Sequence, residues 1–485
     1  MKPNILKATF IKSLVLALIL LLAGSGWLAG PAAAQTAITV GCNTEELIAA
    51  IAAANSNGNG LDTIQLAPDC TYPMRNHNRT DTFNALPVIV EPLRIEGQGA
   101  ILSGNESGLG SRHFHTRAPL TLVNVTLRRG VSSTNGGAIF AEVELKLVNV
   151  KIESSKAGSN GGGIYVQAAL SVENSQFVEN SALNGNGGGI SANSISDDLL
   201  VLHATFVGNT AGGDGGAIFA RGALSINQST FTTNTAGSEG GAIAIFNQNG
   251  KRLSIKHSFF EFNSAAFRGG SLYGGSIAEV TLAGNTFRHN QAPEGSGLFL
   301  ASGISLLTNN LWADNYERSG RPQANTLCLL CSNGTGRVII RHDTLANVAP
   351  FGETAIRVNR GDGKVEVINT IIANYQTGVA NEGGTVTTAH NLYFGNAVNE
   401  AGNIPLSTGH VVGQDPRFVS PAQGDYHLQA GSPAINKATD AGVTTDHDGA
   451  LRPIGPGFDI GAFEFGSAPA PGPGGFSVFL PLVVK

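Results

Sequence analysis

The residues best suited to chemistry fall between positions 312 and 362. Trp312, Asp314, Tyr316, Glu317, Arg318, Arg321, Arg337, Arg341, His342, Asp343, Arg357, Arg360 and Asp362 gather there, in a chain with only 13% charged residues. Lyase chemistry on an acidic polymer needs clustered carboxylates for Ca²⁺ and an Arg or Lys placed to abstract a proton. Arg337, Arg341 and Arg357 are the candidate basic groups, with Asp343 or Asp362 as acid/base or calcium ligand. Solvated loops and surface ion pairs are the plainer account of the same residues.

Other polar groups are less promising. Asp197, Asp198, Asp214, Glu239 and Glu261 look scattered over different positions, and His113 and His115, flanking Phe114, are expected on the surface. The stretch DHDG at Asp446 begins like a calcium loop, which makes Asp446, Asp448 and Asp459 candidate calcium ligands. Position 12 of that loop is Gly457 rather than Glu, so a turn closed by Asx hydrogen bonds competes.

What must position these residues is a repeat. Glycine-led turns start at Gly136, Gly161, Gly187, Gly215, Gly240, Gly269 and Gly295, at spacings of 25, 26, 28, 25, 29 and 26. Between them runs a second pattern: Leu170, Val172, Phe177, Asn180; then Leu199, Val201, Phe206, Asn209; then Leu224, Ile226, Phe231, Asn234. Leu253, Ile255, Phe260, Asn263 and Val280, Leu282, Phe287, Asn290 continue it. Each copy alternates with the period of a strand and is too small to bury its apolar face alone, so the copies must stack. The fold expected is an all-β, single-stranded, right-handed parallel β-helix of about 13 coils with a short N-terminal capping helix. Leu and Ile line its interior, Phe177, Phe206, Phe231, Phe260 and Phe287 form an aromatic ladder, and Asn180, Asn209, Asn234, Asn263 and Asn290 an amide ladder.

Composition narrows the class further. The chain of 485 residues has 35 acidic against 30 basic side chains and no basic run, which argues against nucleic acid as a partner. Lys2, Lys7 and Lys12 precede an apolar run from Leu14 to Leu22, and Ala32 to Ala34 offer a cleavage site. Residues 1–34 are therefore expected to be a secretory signal peptide, and no later stretch is long and apolar enough to span a bilayer. In an oxidising compartment Cys42, Cys70, Cys328 and Cys331 are expected to form two local disulfides. Thr44 is placed to cap a helix with Leu47, Ile48 and Ile51 on its apolar side, and DTIQL, from Asp62, is the first strand expected.

The pairing of GGA-I with F-x-x-N over roughly residues 130–316 resembles the repeats of the polymorphic outer-membrane-protein family, surface proteins with a β-helical passenger. That family's large C-terminal barrel has no counterpart in the sequence, so autotransport is not expected. CNTEELIAAI, from Cys42, is similar to the CSLREAI-type leader found before secreted β-helices. DPRFVSPAQGDYHLQAGSPAIN, from Asp415, and DHDGALRPIGPGFDIGAFEF, from Asp446, resemble the closing segment of choice-of-anchor β-helix proteins, which implies an envelope-associated location.

The resulting divisions are a signal peptide (1–34), a cap with the first strand (35–80), the β-helix (81–410), a closing segment (411–465), a Gly/Pro linker (466–475) and an apolar tail (476–485). The expected function is non-catalytic: an exported, monomeric rod of the cell surface or medium, requiring no cofactor and presenting a repetitive surface for adhesion to a surface receptor or for polysaccharide binding. The alternative is an extracellular polysaccharide lyase of the pectate-lyase type, or a glycoside hydrolase, acting on acidic glycans. Convergence of the 337–362 groups in one groove would favour that alternative.

Overall fold

The computed structural model describes residues 37–58, 60–74, 83–104, 111–246, 250–317, 324–332, 335–359 and 361–467. The expected signal peptide, the tail 476–485, most of the linker, and Arg318, Arg321 and Arg360 lie outside these residues.

The chain winds into an all-β, parallel, right-handed solenoid of about 12 turns. One turn shows how each is built. Leu170–Glu173 forms a first wall, Gln176–Val178 a second, Ser181–Ala182 a short third and Ile190–Ala192 a fourth. Every strand pairs in parallel with its equivalents in the turns before and after: Leu170 with Leu145 and Leu199, Phe177 with Ile152 and Phe206, Ile190 with Ile164 and Ile218. The short wall is its own six-stranded sheet, running from Val131–Ser132 to Ser264–Ala265.

Corners explain the glycines. Gly161 has φ +69°, and a Cβ there would also lie 2.2 Å from the Ile164 carbonyl oxygen. Gly162 has no positive φ, but its Cβ would meet the Gly188 carbonyl oxygen of the next turn at 2.3 Å. The first glycine thus serves conformation and clearance together, and the second clearance alone. The other two corners also use left-handed residues, Asn174 (φ 49°) and Glu179 (φ 53°), yet they tolerate side chains. Gly208, at the Glu179 corner one turn on, shows why: its nearest neighbour to an added Cβ is a side-chain atom 3.5 Å away.

The interior is mostly apolar and carries two polar ladders. The rings of Phe177, Phe206, Phe231, Phe260 and Phe287 stack at 4.7 Å, and Trp312 continues the column 4.1 Å above Phe287. Beside them Asn180 donates through Nδ2 to Asn209 Oδ1 (3.0 Å), and the chain continues through Asn234, Asn263, Asn290 and Asn315. Each amide nitrogen also donates to a main-chain oxygen, such as that of Phe177 for Asn209, so no amide is buried unsatisfied.

Both ends depart from the expectation in detail. The helix Thr44–Ala54 packs Leu47 and Ile51, fully buried, on the first turn. Its cap is Asn43 rather than Thr44: Asn43 is extended and its side chain accepts from the Glu45 amide (2.9 Å), while Thr44 donates to the Pro73 oxygen. A strand at Ala37–Thr39 precedes DTIQ and pairs with it. At the other end, residues 415–465 lie against the flank of the second wall, where Tyr426, Ile460, Ala462 and Phe463 cover Leu311, Ala346, Ile371 and Leu392. Among the described residues no helix is long and apolar enough to cross a membrane.

Candidate binding surface

The 337–362 residues do not share a groove. Arg337 stands on the outer face of the first wall and pairs with Glu366 at 3.3 Å. Arg341 donates to the Ala441 oxygen (2.8 Å), holding the C-terminal segment. Asp343 is inside the coil: its oxygens accept from the Asn310 main chain (2.8 Å) and from Trp312 Nε1 (2.9 Å). Burial pushes its carboxyl up to about 7, the Trp312 and Asn310 hydrogen bonds opposing the shift. Arg357 lies on the outside of the fourth wall, bonded twice to Glu382 at 3.0 Å, and Asp362 is exposed in a loop. Asp343 occupies a second internal ladder, in line with Ser229, Ser258, Asn285 and Asn310, each accepting from the main chain of the turn before. An acid at a ladder position looks like an acid at a site until the coil register is known.

The calcium candidates are engaged as well. Asp446 Oδ1 accepts from the amides of Asp448 (3.0 Å) and Ala450 (2.9 Å), an Asx-type turn, and its Oδ2 accepts from the Glu464 amide (3.1 Å). Asp459 accepts from the amides of Asn436 and Phe465, both at 2.7 Å, and burial raises its carboxyl to about 6. Asp448 faces His427 Nε2 at 2.6 Å. Desolvation lowers the His427 pKa, but Asp448 and Asp425 outweigh it and raise the imidazole to about 8. Among the described residues no three His, Cys, Asp or Glu side chains gather to hold a metal ion.

The histidines are not surface groups. His113 is fully buried where later turns carry Ala138 and Gly163, and burial lowers it to about 4. Gly130 makes the room, since a Cβ there would lie 2.7 Å from His113 Nδ1. His115 stacks on Phe140 and meets Glu142 at 2.8 Å. The disulfides are Cys42–Cys70 and Cys328–Cys331.

A different set of residues forms a continuous surface. The residue before each glycine pair sits at one corner between the short wall and the fourth: Asn135, Asn160, Asn186, Asp214, Glu239, Arg268 and Glu294. Asn135 Oδ1 accepts from the Asn160 amide (3.0 Å), Asn160 from Asn186 (2.9 Å), Asn186 from Asp214 (2.8 Å) and Asp214 from Glu239 (3.1 Å). Charges then alternate, with Arg268 between Glu239 (3.3 Å) and Glu294 (3.2 Å), and Arg357 between Glu294 (3.7 Å) and Glu382. Asp214 and Glu239, which look scattered in the sequence, are neighbours in this rail. Burial raises the Glu239 carboxyl, helped by the nearby Asp214 charge.

The rail borders two faces. On the outer side of the fourth wall, Phe219, Phe246, Tyr273 and Phe299 form an aromatic row with centroid spacings of 5.8, 5.0 and 5.3 Å, buried apart from the half-buried Phe246. Ala244 stands where this row needs a ring, and Phe246 of the same turn fills the gap. On the short wall, Ser181, Thr210, Thr235 and Ser264 point outward in register, and Thr210 Oγ1 donates to Ser181 Oγ at 3.0 Å. At its end stand two exposed aromatic rings, Phe262 (49% exposed, stacked on His289 at 5.0 Å) and Phe267 (59%). Phe262 holds φ 55°, an unusual conformation for a bulky residue, at a solvent corner.

A repeat model described as the Chlamydia polymorphic membrane protein (Chlamydia_PMP) repeat matches residues 203–221, which contain Phe206, Asn209 and the Gly215 turn. The chain is thus a parallel β-helix with a polymorphic-membrane-protein-like repeat. No curated protein sequence matches at a significant level. Among solved structures, the periplasmic alginate epimerase AlgG aligns over 78% of this chain and 84% of its own, at 10% identity and a TM-score of 0.30. A likeness that low carries nothing to this chain.

Proposed function

We propose that this protein is an exported β-helical rod that binds an uncharged, hydroxyl-rich polysaccharide without transforming it. The polymer lies along the short wall, between the hydroxyl row and the charged rail. The observation that carries this reading is the pair of exposed rings, Phe262 and Phe267, at the end of that row. Exposed apolar groups beside ordered polar ones are a usual mark of a recognition surface. The rail has four carboxylates, Asp214, Glu239, Glu294 and Glu382, against Arg268 and Arg357, so it disfavours a polyanion. Export is supported by the expected signal peptide and the disulfides.

The experiment is a panel of neutral and acidic polysaccharides, with and without Ca²⁺, read for binding, for ultraviolet absorbance of unsaturated products and for new reducing ends. The reading expects binding to a neutral polymer and no products. Product formation lost in Arg341→Ala would overturn it in favour of the lyase.

A further inference from the structure

One corner of the solenoid already holds a length of polypeptide. Between the first and second walls each turn passes through a left-handed residue, and these residues stack in a column: Asn124, Asn149 and Asn174 early in the rod, Asn309, His342 and Asn369 late in it. Late in the rod, residues 439–461 lie across the column and are held by their main chain. Asn369 Nδ2 donates to the Thr439 oxygen (2.7 Å) and Asn369 Oδ1 accepts from the Thr439 amide (3.1 Å). The main-chain oxygen of Asn369 accepts from the Gly461 amide at 2.8 Å. Asn309 Nδ2 donates to the Thr445 oxygen (2.6 Å), its main-chain oxygen faces His447 Nδ1 at 2.8 Å, and His342 faces the Asp459 oxygen at 3.1 Å. Early in the rod the same groups stand open. Asn124, Asn149 and Asn174 are exposed. Asn149 donates to Asn124 Oδ1 (3.0 Å), but the Asn174 carboxamide and the main-chain oxygens of Asn149 and Asn174 bond to no other described residue. A cavity of about 210 Å³ lies over them, lined by the three asparagines and by Thr126, Lys151 and Gln176 of the second wall.

We infer that this early stretch of the corner binds an extended polypeptide segment of another protein, through that segment's main chain. The open turns continue an interface the protein already uses, with the same residue type in the same conformation: φ is 53° and 49° at Asn149 and Asn174, and 55° at Asn309 and Asn369. One carboxamide that takes the N–H and the C=O of a single residue, as Asn369 takes those of Thr439, suits an extended chain, where both groups of a residue point the same way. Main-chain hydrogen bonds supply affinity in such recognition, and flanking side chains supply selectivity. Here the flank is polar. Under residues 439–461 the second wall offers Leu311 and Ile371, whereas the cavity has Thr126, Lys151 and Gln176, so its occupant carries polar side chains. Lys151 is paired with Glu153, which leaves the cavity without a net charge to select an acidic or basic segment. The inference is independent of the polysaccharide, which lies on the short wall.

The test titrates the chain from Gln35 to Lys485, labelled with ¹⁵N at asparagine, with a peptide of residues 438–445, ATDAGVTT, acetylated and amidated at its ends. The nuclear magnetic resonance signals of Asn149 and Asn174 are expected to move and saturate. Asn149→Asp/Asn174→Asp keeps a residue that tolerates the left-handed corner but removes the amide donors, and is expected to weaken binding about tenfold or more. Phe262→Ala/Phe267→Ala is expected to leave peptide binding unchanged, which separates this site from the polysaccharide surface. No movement of the two signals would overturn the proposal, and so would equal binding by the aspartate variant. Movement confined to Asn309 and Asn369 would show the peptide displacing residues 439–461 instead, and would overturn it. Movement of Asn149 and Asn174 with cellotriose but not with the peptide would give the site to a carbohydrate and overturn it as well.

Discussion

Trp312 Nε1 donates to Asp343 Oδ2 at 2.9 Å, inside the coil and out of reach of any ligand. The bond turns a candidate catalytic acid into part of the core and gives it a pH signature. The carboxyl titrates near 7 in the folded protein, against an ordinary value of 3.8. Between those values the folded chain holds a proton that the unfolded chain has released, so this group's contribution to stability is lost as pH rises from about 4 to 7. In Asp343→Asn one side-chain atom must be a donor, and it faces the Trp312 N–H. The variant should be less stable than the natural chain at pH 4, and the difference in Tm should shrink toward pH 7. Thermal melts across that range check both statements.

The amide ladder should be costly to break in its middle. Asn234→Ala removes the acceptor of the Asn209 amide and the donors to Asn263 and to the Phe206 oxygen. Leaving such groups buried without partners costs about 1–3 kcal/mol each. A loss of about 3 kcal/mol, seen in denaturant unfolding, is expected. Asn184→Ala, at an exposed amide that donates to the Gly158 oxygen, should cost about 1 kcal/mol or less by the same measurement.

Two glycines with nearly equal φ should respond differently to alanine. Gly215 (φ +67°) would place its Cβ 2.2 Å from the Ile218 oxygen, whereas Gly208 (φ +64°) has only side-chain atoms at 3.5 Å or more. Gly208→Ala should cost about 1 kcal/mol, the left-handed penalty alone. Gly215→Ala should cost several times more or prevent folding, as judged by circular dichroism and melting temperature.

The C-terminal segment hangs on a buried ion pair. Arg452 and Glu464 meet at 2.6 Å, both fully shielded, and Arg452 also donates to the Gly461 oxygen and to Asn309 of the rod. Removing one partner of such a pair costs about 3–5 kcal/mol. Arg452→Ala should release 415–465 to limited proteolysis while the coils before residue 286 stay resistant. Cleavage spread evenly over the chain would show that the segment is not a separate unit.

These contrasts show what a sequence can and cannot disclose here. The wall strands, the Phe column and the Asn column were readable because inward positions recur with one chemistry. The rail was readable in principle, as the residue before each glycine pair, but its chemistry drifts from Asn to Asp, Glu and Arg, which hides a shared position. The loosened repeat after residue 304 has a structural cause. Outward positions that are polar in TFT (230–232) turn apolar in LWA (311–313), IIA (371–373) and LYF (392–394). They are covered by 415–465. Nothing local to 337–362 announced a partner about 100 residues away, so arginines that brace that partner or a neighbouring turn resembled a site.

The most direct test of the central claim is an affinity measurement on the neutral polysaccharide that binds best. The double variant Phe262→Ala/Phe267→Ala should weaken binding at least tenfold, about 1.4 kcal/mol. Arg337→Ala/Asp362→Ala, on other faces of the rod, should leave it unchanged. Full binding by the phenylalanine variant, with loss in the second, would contradict the account and return attention to residues 337–362.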